Sequence, residues 1–315
     1  MDRRAFLRTA TLSTLAAIST PSFSSGQVLQ RVQERRQALT NQMRARQQVR
    51  QRIATMPKKI PIGVQLYSVR YAAERDLPGT LKTIARMGYE GVEFAGYYGH
   101  DIEDVRKMLD DNGLKCCGTH TLLDQLRGNN FERTAEINQI LGSEFVIVPW
   151  IDTAYLYDAD GNRRIAEEFN RFAERAKPFG LYVGYHAYHG DARLVDGISA
   201  WERFFDATVP EVVHQMDVAN YKEGNGDPYA MIEKYPGRSR TIHLSEIGQD
   251  KDISNRPTFG NGIVDWQRVF ELSETVGGVE WYIVEDVRYN VEDDRERASL
   301  NLIEKNLAAL RRMEK

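Results

Sequence analysis

Two histidines three residues apart close an apolar run in VGYHAYHGDA (183–192), and Asp191 follows two positions beyond the second. Imidazole nitrogens bind borderline divalent ions and transfer protons near neutral pH, so a strand that finishes on His186 and His189 points to a reactive site. A single histidine beside an apolar segment is more often a hydrogen-bonded structural group. What other strands carry at the same level therefore decides the matter. Taking the last polar residues of each apolar run in turn gives Gln65 and Tyr67, Glu93, His120, Trp150, His186 with His189, Asp217, His243 with Glu246, and Glu285 with Asp286. His186, Asp217, His243 and Glu285 offer only nitrogen and oxygen donors, a set suited to Mn²⁺, Zn²⁺, Mg²⁺, Co²⁺ or Fe²⁺. A helix cap or an arginine partner accounts for any one of them more easily than for four at one level. Glu285, Glu93, His120 and His189 are the candidates for proton transfer: histidine by its ordinary pKa, glutamate if burial raises its own. Glu93 could equally pair with an arginine, and His120 could support a ligand from behind. Gln65, Tyr67 and Trp150 are the candidates for touching substrate. The two aromatics suit stacking on a sugar ring, with core packing as the competing use.

Such a constellation needs elements that bring these positions to one level. Eight apolar runs read as strands: 60–69, 91–96, 114–120, 144–150, 181–188, 212–220, 240–247 and 281–287. Several lack alternation, as expected of parallel strands covered on both faces. Between them, 77–88, 101–113, 131–142, 163–180, 265–278 and 295–315 carry apolar residues at three- and four-residue steps, and Gly repeatedly stands just past the end. Eight strands alternating with roughly eight helices predict an α/β fold, a (β/α)8 barrel with its chemistry at the carboxyl ends of the strands. A doubly wound sheet would place a Gly-rich phosphate turn after its first strand, and VQLYSVRYAAE has none. One catalytic domain is expected over 59–315.

The 315 residues are 42% hydrophobic and 28% charged, with a formal net charge of -3, an ordinary globular composition. The slightly acidic balance argues against a nucleic-acid surface. The two cysteines, Cys116 and Cys117, are adjacent and cannot frame a disulfide scaffold; they are expected to be buried small residues on the third strand. The start, MDRRAFLRTATLSTLAAISTPSFSSG, pairs Arg3 and Arg4 before Phe6-Leu7 and a short, weakly apolar stretch. It resembles a bacterial twin-arginine export signal over 1–26, and is too short and too rich in Ser and Thr to span a membrane. Such signals export folded proteins, often with a cofactor already loaded, so a periplasmic or otherwise exported protein is expected. Residues 27–58 are Gln- and Arg-rich and read as a solvated, partly helical linker, with attraction to an anionic surface as the alternative.

From Ile60 to the C-terminus, the segments GVQLYSVR, GYEGVEFAGYYGH, LKCCGTHTLLD, YHAYHGD, QMDVANYKEGNGDP, KYPGRSRTIHLSE, GNGIVDW and EWYIVED resemble the sugar phosphate isomerase/epimerase family. These are the xylose-isomerase-like barrels, which include inosose dehydratase and endonuclease IV relatives. The resemblance implies a metal held from strands five to eight, falling here on His186, Asp217, His243 and Glu285. The chain departs from the pattern at strand five, where many relatives have Glu and one branch reads Tyr-His-Asn-His. Here the segment is Tyr185-His186-Ala187-Tyr188, which leaves His189 or Asp191 as substitutes. It departs again after His243-Leu244, where relatives often have Lys-Asp and this chain has Ser245-Glu246.

A divalent ion beside a hydroxy-ketone polarises the carbonyl and stabilises the enediolate that develops as a neighbouring C–H proton leaves. Return of the proton gives isomerisation or epimerisation, and loss of a β-substituent gives elimination. The leading expectation is a divalent-metal-dependent isomerase or epimerase of a sugar or keto-sugar. A lyase or dehydratase of 3-keto-glycosides, using the same site, is the alternative, and a non-catalytic carbohydrate-binding barrel is the different class. An abasic-site endonuclease would want more histidines and a basic groove. Export favours an unphosphorylated substrate, and GNGIVDW reads as a loop and helix cap rather than a phosphate turn. The expected partner is a small carbohydrate, with no nucleic acid and no membrane span after signal cleavage; self-association is left open.

Overall fold

Short strands buried along their whole length have no free face to give to water, so they must close on one another and be covered outside by helices. The computed structural model describes residues 59–251, 256–287 and 295–315; the export signal and linker expected over 1–26 and 27–58 lie outside the described residues. β1 (Ile62–Gln65), β2 (Gly91–Phe94), β3 (Lys115–His120), β4 (Phe145–Val148), β5 (Tyr182–His186), β8 (Val213–Asp217), β9 (Thr241–Leu244) and β10 (Trp281–Val284) form a closed parallel barrel. Its order is β1-β10-β9-β8-β5-β4-β3-β2. β6 (Leu194–Val195) and β7 (Ile198–Ser199) make a small antiparallel hairpin in the excursion after β5.

All eight expected strands are present, and most end two or more residues sooner than expected. The polar residues that extended the apolar runs leave the sheet to build the rim: Val218–Glu223, for example, is already helix. Helices Leu77–Met87, Ile102–Asn112 and Asn130–Leu141 close on Gly88, Gly113 and Gly142 as expected. Helix Ala159–Ala176 begins four residues before its expected start, because Asp158 accepts a hydrogen bond from the Gly161 amide at 2.7 Å and caps a turn that reads locally as loop. The expected helix at 265–278 is α-helical only over Trp266–Leu272 and ends in a π-helical turn, Ser273–Gly277. Cys116 and Cys117 are buried, free thiols on β3.

The pairing register determines which side chains become neighbours. Gln65 lies opposite Glu93, His186 opposite Gln215, and Asp217 opposite His243. Below this polar layer the wall is tightly fitted at Gly184 on β5, where an added Cβ would lie 2.7 Å from Ile147 Cδ1 and equally near Val213 Cβ. Glycine is required there by close approach rather than by backbone angle. A Gly184→Ala substitution is expected to lower unfolding free energy by about 1–3 kcal/mol through overpacking. Urea midpoints of the two proteins measure it, and equal midpoints would show that the β4–β5–β8 wall has slack.

Candidate metal centre

The four donors converge where their strands end. His186 is the last residue of β5 and Asp217 the last of β8; His243 lies on β9 beside Asp217, and Glu285 directly follows β10. One ligand atom from each lies within 4.8 Å of every other, and all four residues are buried. His243 Nδ1 is 3.0 Å from Glu285 Oε2 and 4.0 Å from Asp217 Oδ2, and His186 Nε2 is 3.9 Å from Glu285 Oε2. The Asp217 oxygens are used unequally. Oδ1 accepts from the Asn220 amide at 2.7 Å and from the Ser245 hydroxyl, whereas Oδ2 is buried with no hydrogen-bond partner. A buried carboxylate oxygen with no donor is costly, and a cation beside it removes the cost. The nitrogen and oxygen donors and the orphaned oxygen both fit a divalent ion.

Behind these donors sits a layer that fixes their orientation. His186 Nδ1 is 3.1 Å from Gln215 Oε1, which leaves its Nε2 toward the cluster. His243 Nε2 is 2.6 Å from Glu93 Oε2, which leaves its Nδ1 toward the cluster. The Gln215 amide is fully used: Oε1 meets His186 and, at 2.9 Å, His120, while Nε2 donates to Glu93 Oε1 at 2.8 Å and Thr241 Oγ1 at 3.0 Å. Gln65 Nε2 donates to Glu93 Oε2 at 2.8 Å. Burial alone would raise the Glu93 pKa, but the charges and hydrogen bonds of His120 and His243 hold it well below the usual carboxylate range. Burial likewise works against a charged His243, yet Glu93 and Glu285 outweigh it and raise its pKa to about 10. Burial, together with the charges of His243 and His120, pulls His186 down to about 3, so it is neutral. Burial and the charge of Glu285 push Asp217 up to about 6.

Above the cluster opens a cavity of about 1130 Å³. Tyr67, Tyr97, Leu122, Trp150 and Ile151 line it from the β1–β4 side. Tyr188, His189, Asn220, Glu223 and Arg256 line it from the other side, with His120, His186 and Glu285 also in its wall. Tyr67, Trp150 and Tyr188 are 41%, 56% and 46% exposed, so none of them is packed into the core.

Residues 81–313 match the family described as Xylose isomerase-like TIM barrel. The chain belongs to that family. An inosose dehydratase of Erwinia tasmaniensis is 28% identical over 263 residues, which cover 72% of this chain and 86% of that protein. The crystal structure of a sugar phosphate isomerase/epimerase from Parabacteroides distasonis is 23% identical with a TM-score of 0.67, covering 80% of this chain and 98% of that one. The IOLI protein, solved with a zinc atom bound, has a TM-score of 0.63 at 11% identity, covering 80% and 96%. At these identities the two solved structures share the fold.

For a xylose isomerase-like barrel, the chain's departures have clear local reasons. Of the three strand-five alternatives, His186 joins the cluster. Asp191 is buried and occupied, accepting from Tyr185 Oη at 2.8 Å and the Tyr188 amide at 2.7 Å, and His189 stands at the mouth. Ser245 bonds Asp217, and the Glu246 carboxylate accepts from Trp266 Nε1 at 2.7 Å and the Gly260 amide at 2.9 Å, holding the loop that follows β9. Asp286 accepts from Asn306 Nδ2 at 3.0 Å. Glu93 and Gln65, expected in proton transfer and substrate contact, have zero exposure, bond one another, and lie outside the cavity lining. His120 also groups with His186 and His243 as a second set of three donors. Its Nε2 is already engaged by Gln215 and, at 3.1 Å, by Glu93. Gln215, Tyr188, Glu223 and Arg256 were missed. Strand alternation alone puts Gln215, two residues before Asp217, on the same inward face.

Gln215→Leu, which removes the support of both His186 and Glu93, is expected to weaken Zn²⁺ or Mn²⁺ binding by about 10- to 100-fold. Titration calorimetry measures it, and unchanged affinity would mean the amide does not orient the ligands. A second expectation concerns Asp191, whose pKa is pushed up to about 7 chiefly by burial, from an ordinary value of 3.8. The folded protein holds this proton more tightly than the unfolded chain does. Stability through this group is therefore fully present below about pH 4 and is lost as pH rises toward 7, by at most about 4 kcal/mol. Comparing urea midpoints at pH 5 and pH 8, Asp191→Asn is expected to show a smaller fall than the parent protein.

Proposed function

We propose that this protein is a divalent-metal-dependent lyase or dehydratase that removes a proton beside the carbonyl of a keto-sugar or keto-glycoside and expels a β-substituent. The observation that carries the reading is the partnerless Asp217 Oδ2, buried within a nitrogen- and oxygen-donor cluster under an open cavity. His186 Nε2, Asp217 Oδ2, His243 Nδ1 and a Glu285 oxygen would hold the ion, which when bound supplies Lewis-acid stabilisation of negative charge on a substrate carbonyl oxygen. The chain's own residues do the rest. His120 lines the cavity with its ring centroid 5.0 Å from that of His186 and 5.4 Å from that of His243, next to where the carbonyl would lie. It is the candidate to take the C–H proton, and Glu285 is the second candidate. Glu93 and Gln215 hold the imidazoles in one tautomer, and Trp150, Tyr67 and Tyr188 offer faces for a sugar ring.

Elimination is favoured over isomerisation by two observations. The similar protein of Erwinia tasmaniensis is described as an inosose dehydratase. The cavity, at about 1130 Å³, also exceeds the range of about 300–1,000 Å³ usual for small-molecule sites, room for more than one pyranose. Isomerisation or epimerisation is the second reading, favoured by the description of the Parabacteroides distasonis protein. Among the described lining residues Arg256 is the one permanently charged cation, a thin set for a phosphate, which favours an unphosphorylated substrate. The Arg3-Arg4 start supports export, where unphosphorylated sugars are the accessible class.

The test is elemental analysis of the purified protein, followed by chelation, reloading with single metals, and incubation with phenyl 3-keto-β-glucoside and 3-keto-glucose in D₂O. Release of phenol or water that depends on metal, and a loss of at least about a thousandfold in Asp217→Ala, is the expected result. Solvent deuterium in an isomer, with nothing released, would establish the second reading. A protein with no stoichiometric metal, active after chelation, would sink both.

A further inference from the structure

On the side of the cavity built after β5 and β8 a histidine and a glutamate face one another without a closed hydrogen bond. His189 opens the 3-10 turn His189–Ala192 after β5, and Glu223 ends the helix Val218–Glu223 after β8. His189 Nδ1 lies 3.7 Å from Glu223 Oε2, and that oxygen is buried with no hydrogen-bond partner. A buried carboxylate oxygen needs a donor, and among the described groups the imidazole N–H stands next to it. The rest of the fold holds the two at this spacing. Tyr188 packs its ring on His189 at 4.1 Å between centroids. Asp191 accepts from the Tyr188 amide and from Tyr185 Oη, and Tyr157 Oη donates to the Gly190 carbonyl at 3.1 Å, so the turn itself is pinned. Next to Glu223, Gly224 approaches so closely that any Cβ there would collide with the His189 carbonyl oxygen. The His189 side chain nevertheless remains 43% exposed and lines the cavity.

A carboxylate beside Nδ1 selects the Nδ1–H tautomer and leaves Nε2 to exchange a proton with whatever occupies the cavity, the same division of labour as in other carboxylate–imidazole pairs. We propose that Glu223 positions His189 as the acid that protonates the oxygen leaving the substrate, which makes the substrate a keto-glycoside whose departing group lies at the cavity mouth between Tyr188 and Trp150. This rests on the elimination reading above and adds the group that reading lacks. For a 3-keto-glucoside, the C2–H bond breaks and its proton passes to the base at the cavity floor. Its electron pair is held first as the enolate; in a second step that pair forms the C1–C2 double bond as the C1–O bond breaks, and the departing oxygen takes the proton from His189 Nε2. The products are an enone and an alcohol; nothing is oxidised or reduced, and solvent resets both proton carriers.

Leaving-group dependence tests the assignment in the metal-loaded protein. Phenyl and 4-nitrophenyl 3-keto-β-glucosides are compared in the parent protein, His189→Asn and Glu223→Gln, with metal content measured for each. Phenolate is a poor leaving group that needs a proton, and 4-nitrophenolate leaves without one. Both variants are expected to lose about 100-fold or more on the phenyl substrate and about tenfold or less on the nitrophenyl one, while keeping C2–H exchange into D₂O. Equal losses on the two substrates, or no loss, would overturn the acid role. So would a parent protein that exchanges C2–H and releases neither phenol; that result leaves the metal-dependent proton abstraction standing. A parent protein that neither exchanges nor releases, with any metal, defeats the underlying reading as well.

Discussion

His243 lies fully buried between two carboxylates, and the upper layer of the barrel is organised around that fact. Its Nε2 meets Glu93 at 2.6 Å and its Nδ1 meets Glu285 at 3.0 Å; the His243 and Glu93 side chains have no exposure, and that of Glu285 has 11%. Burying charge is expensive unless each group has an opposite charge and hydrogen bonds in good geometry. Here the imidazole carries a proton, its pKa raised to about 10, which balances only part of the acidic charge around it. Asp217 is left with one oxygen that nothing satisfies. A divalent cation in the gap would let the Nδ1 proton leave, take up the orphaned oxygen, and replace one positive charge by two. The cluster thus has the donors and the charge to fit a divalent cation.

Strand register makes such a cluster possible. Residues i and i+2 of a strand share a face, and in-register neighbours on the adjacent strand stand beside them. Gln215 and Asp217 therefore point inward together from β8, one behind the other. His186 is beside Gln215 and His243 beside Asp217. One amide then reaches two imidazoles and Glu93 without any loop having to be placed accurately. Rigid strand ends suit a site that must hold its donors within a few tenths of an ångström, and the helix Val218–Glu223 that follows β8 adds Asn220 and Glu223 to the wall above.

The sequence made the donors legible because their chemistry is unusual at the ends of apolar runs. Histidines and acids at the close of six of the eight such runs pointed to the rim, and the barrel followed from strand count and helix spacing. Gln215 was illegible as a type, since an amide signals nothing by itself; its importance comes from having four partners at once. Glu93 was legible as a carboxylate but not as one turned beneath the histidines. That orientation depends on Gln65 across the register, a tertiary relation. The helices Ala200–Asp206, Val218–Glu223 and Pro228–Lys234 escaped because six or seven residues are too few to establish a helical period. Glu223 stood in KEGNG, which reads as a turn, and its approach to His189 is created by how the segments after β5 and β8 fold over the rim.

The same donor cluster serves several reactions in principle, so the cavity wall must decide among them. Once a proton beside a carbonyl is removed, the electron pair returns to carbon or moves on to break a bond to oxygen. A group able to give a proton to that oxygen, held away from the base, favours the second course. Tyr97, Leu122, Trp150 and Ile151 stand with Gln125, Asp152 and Thr153 on one side of this cavity, and His189, Asn220, Glu223 and Arg256 on the other. His120, with its Nε2 anchored to Gln215 and Glu93, belongs to the fixed floor, whereas His189 belongs to a turn at the mouth. In the proposed elimination, two imidazoles, one anchored to Glu93 at the floor and one beside Glu223 at the mouth, would separate the proton that is taken from the proton that is given. Epimerisation asks for two groups facing opposite sides of one carbon atom, whereas elimination asks for groups spaced along a bond, and the spacing in depth here matches the second requirement.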